Sequence, residues 1–197
     1  MRKESLWDDD IFLLHGFFSP DECAEYVRLS EGVGYDDAPI STGRGAVIRK
    51  DVRNNDRVMI DDPTLAAVLY DRAEPFLPAN FLIWKPVGLN ERFRYYRYTK
   101  GQKFDWHFDG AFTRPDGLES SKLTFMVYLN DGFVGGETVF NLRRLGSVRD
   151  TDPVLRVVPT AGTALVFRHD VLHTGAMVLD GVKYVVRTDV MFRHPGV

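Results

Sequence analysis

Cysteine is nearly absent. Cys23 is the only one in 197 residues, so no intrachain disulfide can staple the chain, and a reducing cytoplasm is the expected setting. Long apolar runs are missing too. Ile11–Phe18 and Phe76–Trp84 are interrupted and far shorter than the roughly 20 residues that cross a bilayer. The charged opening stretch Met1–Asp10 lacks the apolar segment of a secretory leader, and no membrane role is expected. Neither sign of charge dominates: 25 Lys and Arg face 28 Asp and Glu, a net −3 that gives no strong nucleic-acid signal. Repeats and low-complexity tracts are also lacking. What is present, 44% hydrophobic and 13% aromatic residues, suits one well-packed globular domain.

Taken in order, Ile11–Phe18 reads as a short apolar strand leading into a helix. Ser19-Pro20-Asp21-Glu22 is a capping box with Ser19 as N-cap, and the helix is expected to run to about Ser30 with Cys23, Tyr26, Val27 and Ser30 inward. Gly32–Asn55, rich in Gly, Asp and Arg, is expected to be loop with one short strand, either a lid or a solvated connection. Asp62-Pro63 opens a second helix with an apolar stripe of Leu65, Val68, Leu69 and Ala73.

From Glu91 the pattern turns to strands. Phe93–Tyr98, Phe104–Asp109, Thr124–Leu129, Thr138–Phe140, Val154–Val158, Thr163–Phe167 and Val182–Phe192 are separated by turns, by the polar loop Gly110–Ser121 and by a basic loop with Arg143 and Arg144. Short strands at regular spacing mark a sandwich or barrel. The predicted fold is mainly β with flanking α: a double-stranded β-helix, or jelly roll, with the N-terminal helices packed on one sheet. Within a single domain of residues 1–197, residues 1–90 form a helix and strand support region and residues 91–195 the jelly-roll core.

Chemistry centres on His107-Phe108-Asp109. Residues two apart on a strand share a face, so His107 and Asp109 can reach one ion. Two imidazoles and one carboxylate on one side of an ion suit non-heme Fe(II) oxygen chemistry, and His173 is the preferred third ligand. His15 and His194 read as structural or exposed. His169 and His173 would chelate together only on a helix, which the flanking strands and Gly175 argue against. After His173, Val182–Phe192 alternates: its even positions are apolar, and its odd ones include Lys183, Arg187 and Asp189. Two cations on the inner face of a barrel need an anionic partner. A dicarboxylate cosubstrate is one candidate, and a neighbouring acid such as Asp189 is the other.

His107-Phe108-Asp109, Gly135-Gly136-Glu137-Thr138-Val139-Phe140, and Lys183 ten residues after His173 resemble the prolyl 4-hydroxylase group of Fe(II)/2-oxoglutarate dioxygenases. The likeness spans about Phe93 to Phe192. It implies that His107, Asp109 and His173 bind iron, that Lys183 binds the distal carboxylate of 2-oxoglutarate, and that Tyr98 and Tyr128 hydrogen-bond this cosubstrate. Arg187 departs from the prolyl hydroxylase pattern and competes with Lys183 as principal anchor. The implied reaction uses Fe(II), 2-oxoglutarate and O2, with ascorbate as reductant, to hydroxylate an amino-acid or peptidyl C–H, releasing succinate and CO2. Competing readings are a zinc hydrolase on the same three ligands, a nucleic-acid or small-molecule demethylase of the same superfamily, and a non-catalytic jelly-roll binding module. The sequence leaves the oligomeric state open.

Overall fold

The structure, a computed structural model, describes residues 1–42, 45–143 and 152–196. Strands β1 (Arg2–Trp7) and β2 (Ile11–His15) form a hairpin, then comes helix α1 (Pro20–Val33). Its capping box is in place: the Ser19 hydroxyl accepts from the Glu22 N–H, and the Glu22 carboxylate accepts from the Ser19 N–H. Cys23 and Ser30 are buried on the inner side of α1, with Tyr26 and Val27 packed against the core.

The stretch expected to be loop carries more order than one strand. It holds β3 (Asp36–Asp37) and a hairpin of β4 (Ile40–Thr42) and β5 (Gly45–Val47). Beyond it lies β6 (Asp56–Asp61), which has no counterpart among the strands expected from the sequence. Helix α2 (Pro63–Ala73) is capped by the Asp62 carboxylate, which accepts from the Leu65 N–H at 2.8 Å. Its buried line is Ala66, Leu69 and Ala73. Val68, expected inward, is 51% exposed, because the two alanines set the helix close to the sheet and turn its neighbouring arc to solvent.

The remaining strands are β7 (Lys85–Leu89), β8 (Arg92–Tyr98), β9 (Phe104–His107), β10 (Glu119–Tyr128), β11 (Val134–Gly135), β12 (Thr138–Asn141), β13 (Val154–Val157), β14 (Ala164–Arg168), β15 (His173–Gly175), β16 (Val178–Asp180) and β17 (Lys183–Arg193). In the expected basic loop, Arg143 Nη1 lies 3.5 Å from Asp152 Oδ1, and Arg144 falls outside the described residues.

Two antiparallel sheets build the jelly roll. The larger runs β1-β2-β14-β10-β17-β8-β6-β3, with β7 also paired to β17, and the smaller runs β13-β12-β15-β9. N-terminal strands thus extend both ends of the large sheet. That sheet is covered on both faces. Its outer face, including Val186, Val190 and Phe192 of β17, packs on α1 and α2 through Cys23, Ala66 and Leu69. Its inner face, with Val185, Tyr96 and Tyr98, meets Phe140 and Val157 of the small sheet. The alternation along β17 therefore sorts apolar residues to the helix side and Lys183, Arg187 and Asp189 to the space between the sheets.

Candidate metal centre

His107 and His173 are register partners on β9 and β15, and their ring centroids lie 4.2 Å apart. Each Nδ1 lies beside the carbonyl oxygen two residues before it: Asp105 O at 2.7 Å from His107 and Val171 O at 2.9 Å from His173. A carbonyl can only accept, so each Nδ1 carries the proton and each Nε2 presents its lone pair to the shared space. Burial holds the His107 imidazole down at about pH 3, with His173 adding to the effect, and burial also lowers His173. Both rings are therefore neutral ligands.

Asp109 does not reach the centre by strand alternation, because β9 ends at His107. Instead its N–H donates to the His169 carbonyl at 3.1 Å, which anchors a turn, and Phe108 is thrown outward, 60% exposed. Asp109 Oδ1 lies 3.7 Å from His107 Nε2, and Oδ2 lies 3.6 Å from His173 Nε2. One ligand atom from each of the three residues lies within 4.8 Å of the other two. A set of two histidines and one carboxylate, with preset tautomers, fits Fe(II), and it opens on a cleft lined also by Tyr98, Phe104, Thr138 and Lys183.

Arg187, the rival cosubstrate anchor of the sequence reading, is engaged by acids of the chain itself. Its Nη1 lies 2.8 Å from Asp109 Oδ1 and its Nη2 3.0 Å from Asp189 Oδ1. Arg94 also reaches Asp189, at 3.2 Å, and the Thr124 hydroxyl donates to the second oxygen of Asp109. Burial would raise the Asp109 carboxyl, but Arg187 foremost, with His173, His107 and Thr124, holds it far below the ordinary carboxylate range. Cross-strand register produces this network, since Thr124 faces Asp189 and Arg187 faces Arg94. The plainer expectation, an acid partner for one of the two cations, describes Arg187.

Lys183 is different. It is 3% exposed, its ammonium donates to the Gly136 carbonyl at 2.7 Å, and it lies over the rings of Tyr98 and Tyr128 at 5.2 and 5.5 Å. Among the described residues no carboxylate lies within 4.0 Å of it. Burial pushes its ammonium down to about 7, with Glu137 only partly offsetting this. Gly135 and Gly136 make its cradle. Both have positive φ, and a Cβ on Gly135 would strike the Met177 carbonyl while one on Gly136 would meet Lys183 Cδ at 3.3 Å. Tyr98 lines the cleft with Lys183. Tyr128 does not: its hydroxyl shares a 2.7 Å hydrogen bond with Thr138, and Thr138 is the one that lines the cleft.

The other histidines stand apart. His15 pairs with Glu4 at 2.7 Å, and His194 packs edge-on against Trp84 rather than standing free. His169 is buried 3.5 Å from Asp189 and contributes its carbonyl to the Asp109 turn. Sequence reasoning missed Tyr96, Thr124, Thr138 and Arg53. Thr124 could be found only from the β10–β17 register. Arg53 hid in the presumed loop, yet its backbone bridges to Phe104 on the edge of β9.

Residues 93–188 match the profile of a family described as the 2OG-Fe(II) oxygenase superfamily. A probable prolyl 4-hydroxylase 7 of Arabidopsis thaliana is 27% identical over 139 residues, covering 68% of this chain and 42% of that protein. Prolyl 4-hydroxylase 1 of the same plant is 27% identical over 199 residues, covering 90% of this chain and 67% of that protein. The match therefore spans less than half of the first relative. A solved prolyl-4-hydroxylase of Pseudomonas putida superposes with a TM-score of 0.63 at 19% identity, over 95% of this chain and 94% of that chain. At that identity the likeness speaks for the jelly-roll fold.

Proposed function

We propose that the chain is a 2OG-Fe(II) oxygenase, the family whose profile its residues 93–188 match, and that it is an Fe(II)- and 2-oxoglutarate-dependent hydroxylase acting on an amino-acid or peptidyl C–H, with a prolyl-like centre the first to test. The observation that carries this reading is Lys183: a buried cation with no acid partner among the described residues, opening on the same cleft as the metal ligands. A structural lysine would be paired or exposed. One that faces an anionic ligand need be neither.

In this reading His107, Asp109 and His173 hold Fe(II). The iron, with 2-oxoglutarate and O2, supplies an oxidant able to hydroxylate an unactivated C–H while succinate and CO2 are released. The carbonyls of Asp105 and Val171 keep both imidazoles turned toward the ion. Arg187 and Thr124 pin the carboxylate of Asp109 from behind. Lys183, backed by Tyr98 and Thr138, takes the distal carboxylate of the cosubstrate. Phe104, Met126, Phe167 and Val185 keep water from the reacting centre. A zinc hydrolase would leave the unpaired Lys183 without a task. The lone Cys23, buried and unpaired, agrees with work in a reducing cytoplasm. No helix among the described residues is long and apolar enough to cross a membrane.

The test is succinate release by purified protein with ferrous iron, ascorbate and 2-oxoglutarate, slow alone and faster with the right substrate. Lys183→Met is expected to raise the KM for 2-oxoglutarate by about ten-fold or more. Zinc-supported, oxygen-independent hydrolysis with no consumption of 2-oxoglutarate would replace this reading with the hydrolase.

A further inference from the structure

The inner face of the large sheet continues past the metal centre onto β8 and β6, and there its charge balance changes. Arg57 on β6 is the register partner of Tyr96 on β8, so both side chains stand on the cleft side. Arg53 lies just before β6 and bridges the mouth between the two sheets. Its guanidinium packs over Tyr96 of the large sheet at 4.6 Å and over Phe104 of the small sheet at 4.3 Å. Phe104 in turn stacks on the ligand His107, with centroids 3.5 Å apart.

Among the described residues neither arginine has an acid. Arg53 is 6% exposed, its Nε donates to the Asn55 side-chain oxygen at 2.8 Å, and its Nη2 is buried without a partner. Among the described residues no carboxylate lies within 4.0 Å of Arg53 or Arg57, and the Arg57 side chain makes no hydrogen bond. The acids on this face, Asp109 and Asp189, are already held by Arg187 and Arg94. The crowding of cations shows in Tyr96: burial alone would raise its phenol, yet Arg53, Arg187 and Arg94 together pull it below its ordinary value. Arg57 is lowered by burial and by its neighbours Arg53 and Arg94. A buried guanidinium cannot shed its proton, so it needs a counter-anion from outside the chain.

The reading above gives the distal carboxylate of 2-oxoglutarate to Lys183, in the cleft that also holds the metal ligands, and leaves Arg53 and Arg57 without a ligand. We propose that Arg53 and Arg57, with Tyr96 between them, form a second anion subsite that takes a carboxylate of the prime substrate. The substrate class is therefore acidic: a free amino acid held by its α-carboxylate, or a peptide with Asp or Glu beside the hydroxylated residue. This rests on the proposed hydroxylase activity and narrows it. A bare polyproline stretch lacks the required charge.

The experiment offers the full chain, with ferrous iron, ascorbate and 2-oxoglutarate, a pool of amino acids and short peptides. Each acid is matched by its neutral amide: L-proline with L-prolinamide, and glutamate-containing prolyl peptides with their glutamine counterparts. Products bearing one added oxygen are counted by mass spectrometry. Acids are expected to outrun their amides by about ten-fold or more, the factor a charge-assisted contact confers. The free and peptide arms identify which source the subsite takes. The ratio is read within each protein, so a general loss of activity cancels. Arg57→Glu, at a half-buried position, is expected to abolish or invert the acid preference, and Arg53→Gln to weaken it. Neutral members that match the acids, a pool that yields no hydroxylated product, or an acid preference that survives Arg57→Glu would overturn the proposal. So would a raised KM for 2-oxoglutarate in Arg57→Glu with that preference intact, which would place the cosubstrate there instead. Succinate release that persists through such a failure leaves the hydroxylase reading standing. No 2-oxoglutarate consumption under any condition removes both.

Discussion

Lys183 and Arg187 sit four residues apart on one strand, and their surroundings give them opposite chemistry. Lys183 has only a carbonyl to donate to, and burial brings its ammonium down to about 7. An anionic ligand would raise it again, so ligand binding takes up a proton whenever the free lysine is neutral. The affinity for 2-oxoglutarate is therefore expected to be flat below about pH 7 and to fall above it, by up to about ten-fold per pH unit. The KM for 2-oxoglutarate measured from pH 6 to 9 checks this, and Lys183→Met should erase the slope. Arg187, by contrast, holds two buried acids. Arg187→Met leaves Asp109 short of a counter-charge and is expected to cost about 3–5 kcal/mol in urea unfolding. Asp109→Ala should also destabilise, since it strands Arg187 and the Thr124 hydroxyl. The double variant should lose less than the sum of the two. Residue types brought His107, Asp109 and His173 together in the sequence, as their grouping in the structure bears out, although Asp109 arrives by a turn rather than by strand spacing. Of the two acids that Arg187 holds, Asp189 was a candidate in the sequence, whereas Asp109 was not, because that contact depends on which residues face each other across the folded sheets.

Among the elements, β17 was the most legible, since strict alternation separates a helix-packed face from a chemical face. β6 was the least. Its inner positions are Arg57 and Met59, which the sheet leaves partly open at the site mouth, so no clean two-residue period marks it. The same blindness hid the break after His107: a strand and a strand followed by a turn have the same local sequence here, and only the Asp109 N–H bonding to His169 tells them apart. The small antiparallel ribbon of β11 and β16 joins two stretches far apart in the chain and was not foreseen, and its glycines test the cradle. Gly135→Ala puts a methyl into the Met177 carbonyl at a positive φ. It is expected to lower the melting temperature and to raise the KM for 2-oxoglutarate through Lys183, while leaving the metal affinity near its original value.

For the molecule as a whole, a metal held by three residues from two distant stretches should tie those stretches together. Saturation with Fe(II), or with Mn(II) as an air-stable stand-in, at about a hundred times its Kd is expected to stabilise the fold by about 2.7 kcal/mol. Thermal unfolding with and without metal reads this, and His107→Ala should abolish the shift. The jelly roll itself was legible from the regular spacing of short strands. The joining of β2 to β14 and of β6 to β8, which brings β1 and β3 into the large sheet with them, was not, because these partners are far away in the chain. The placement of β17 has a further consequence. It is wedged between β10 and β8, and Lys183 meets Tyr98 across the seam. All three metal ligands precede, in the chain, the strand that closes the sheet behind them. Until Lys183–Arg193 is seated, β10 and β8 each keep an open edge, so the metal centre is expected to gain its backing only with the last of the described strands, and ion capture to follow the closing of the large sheet rather than lead it.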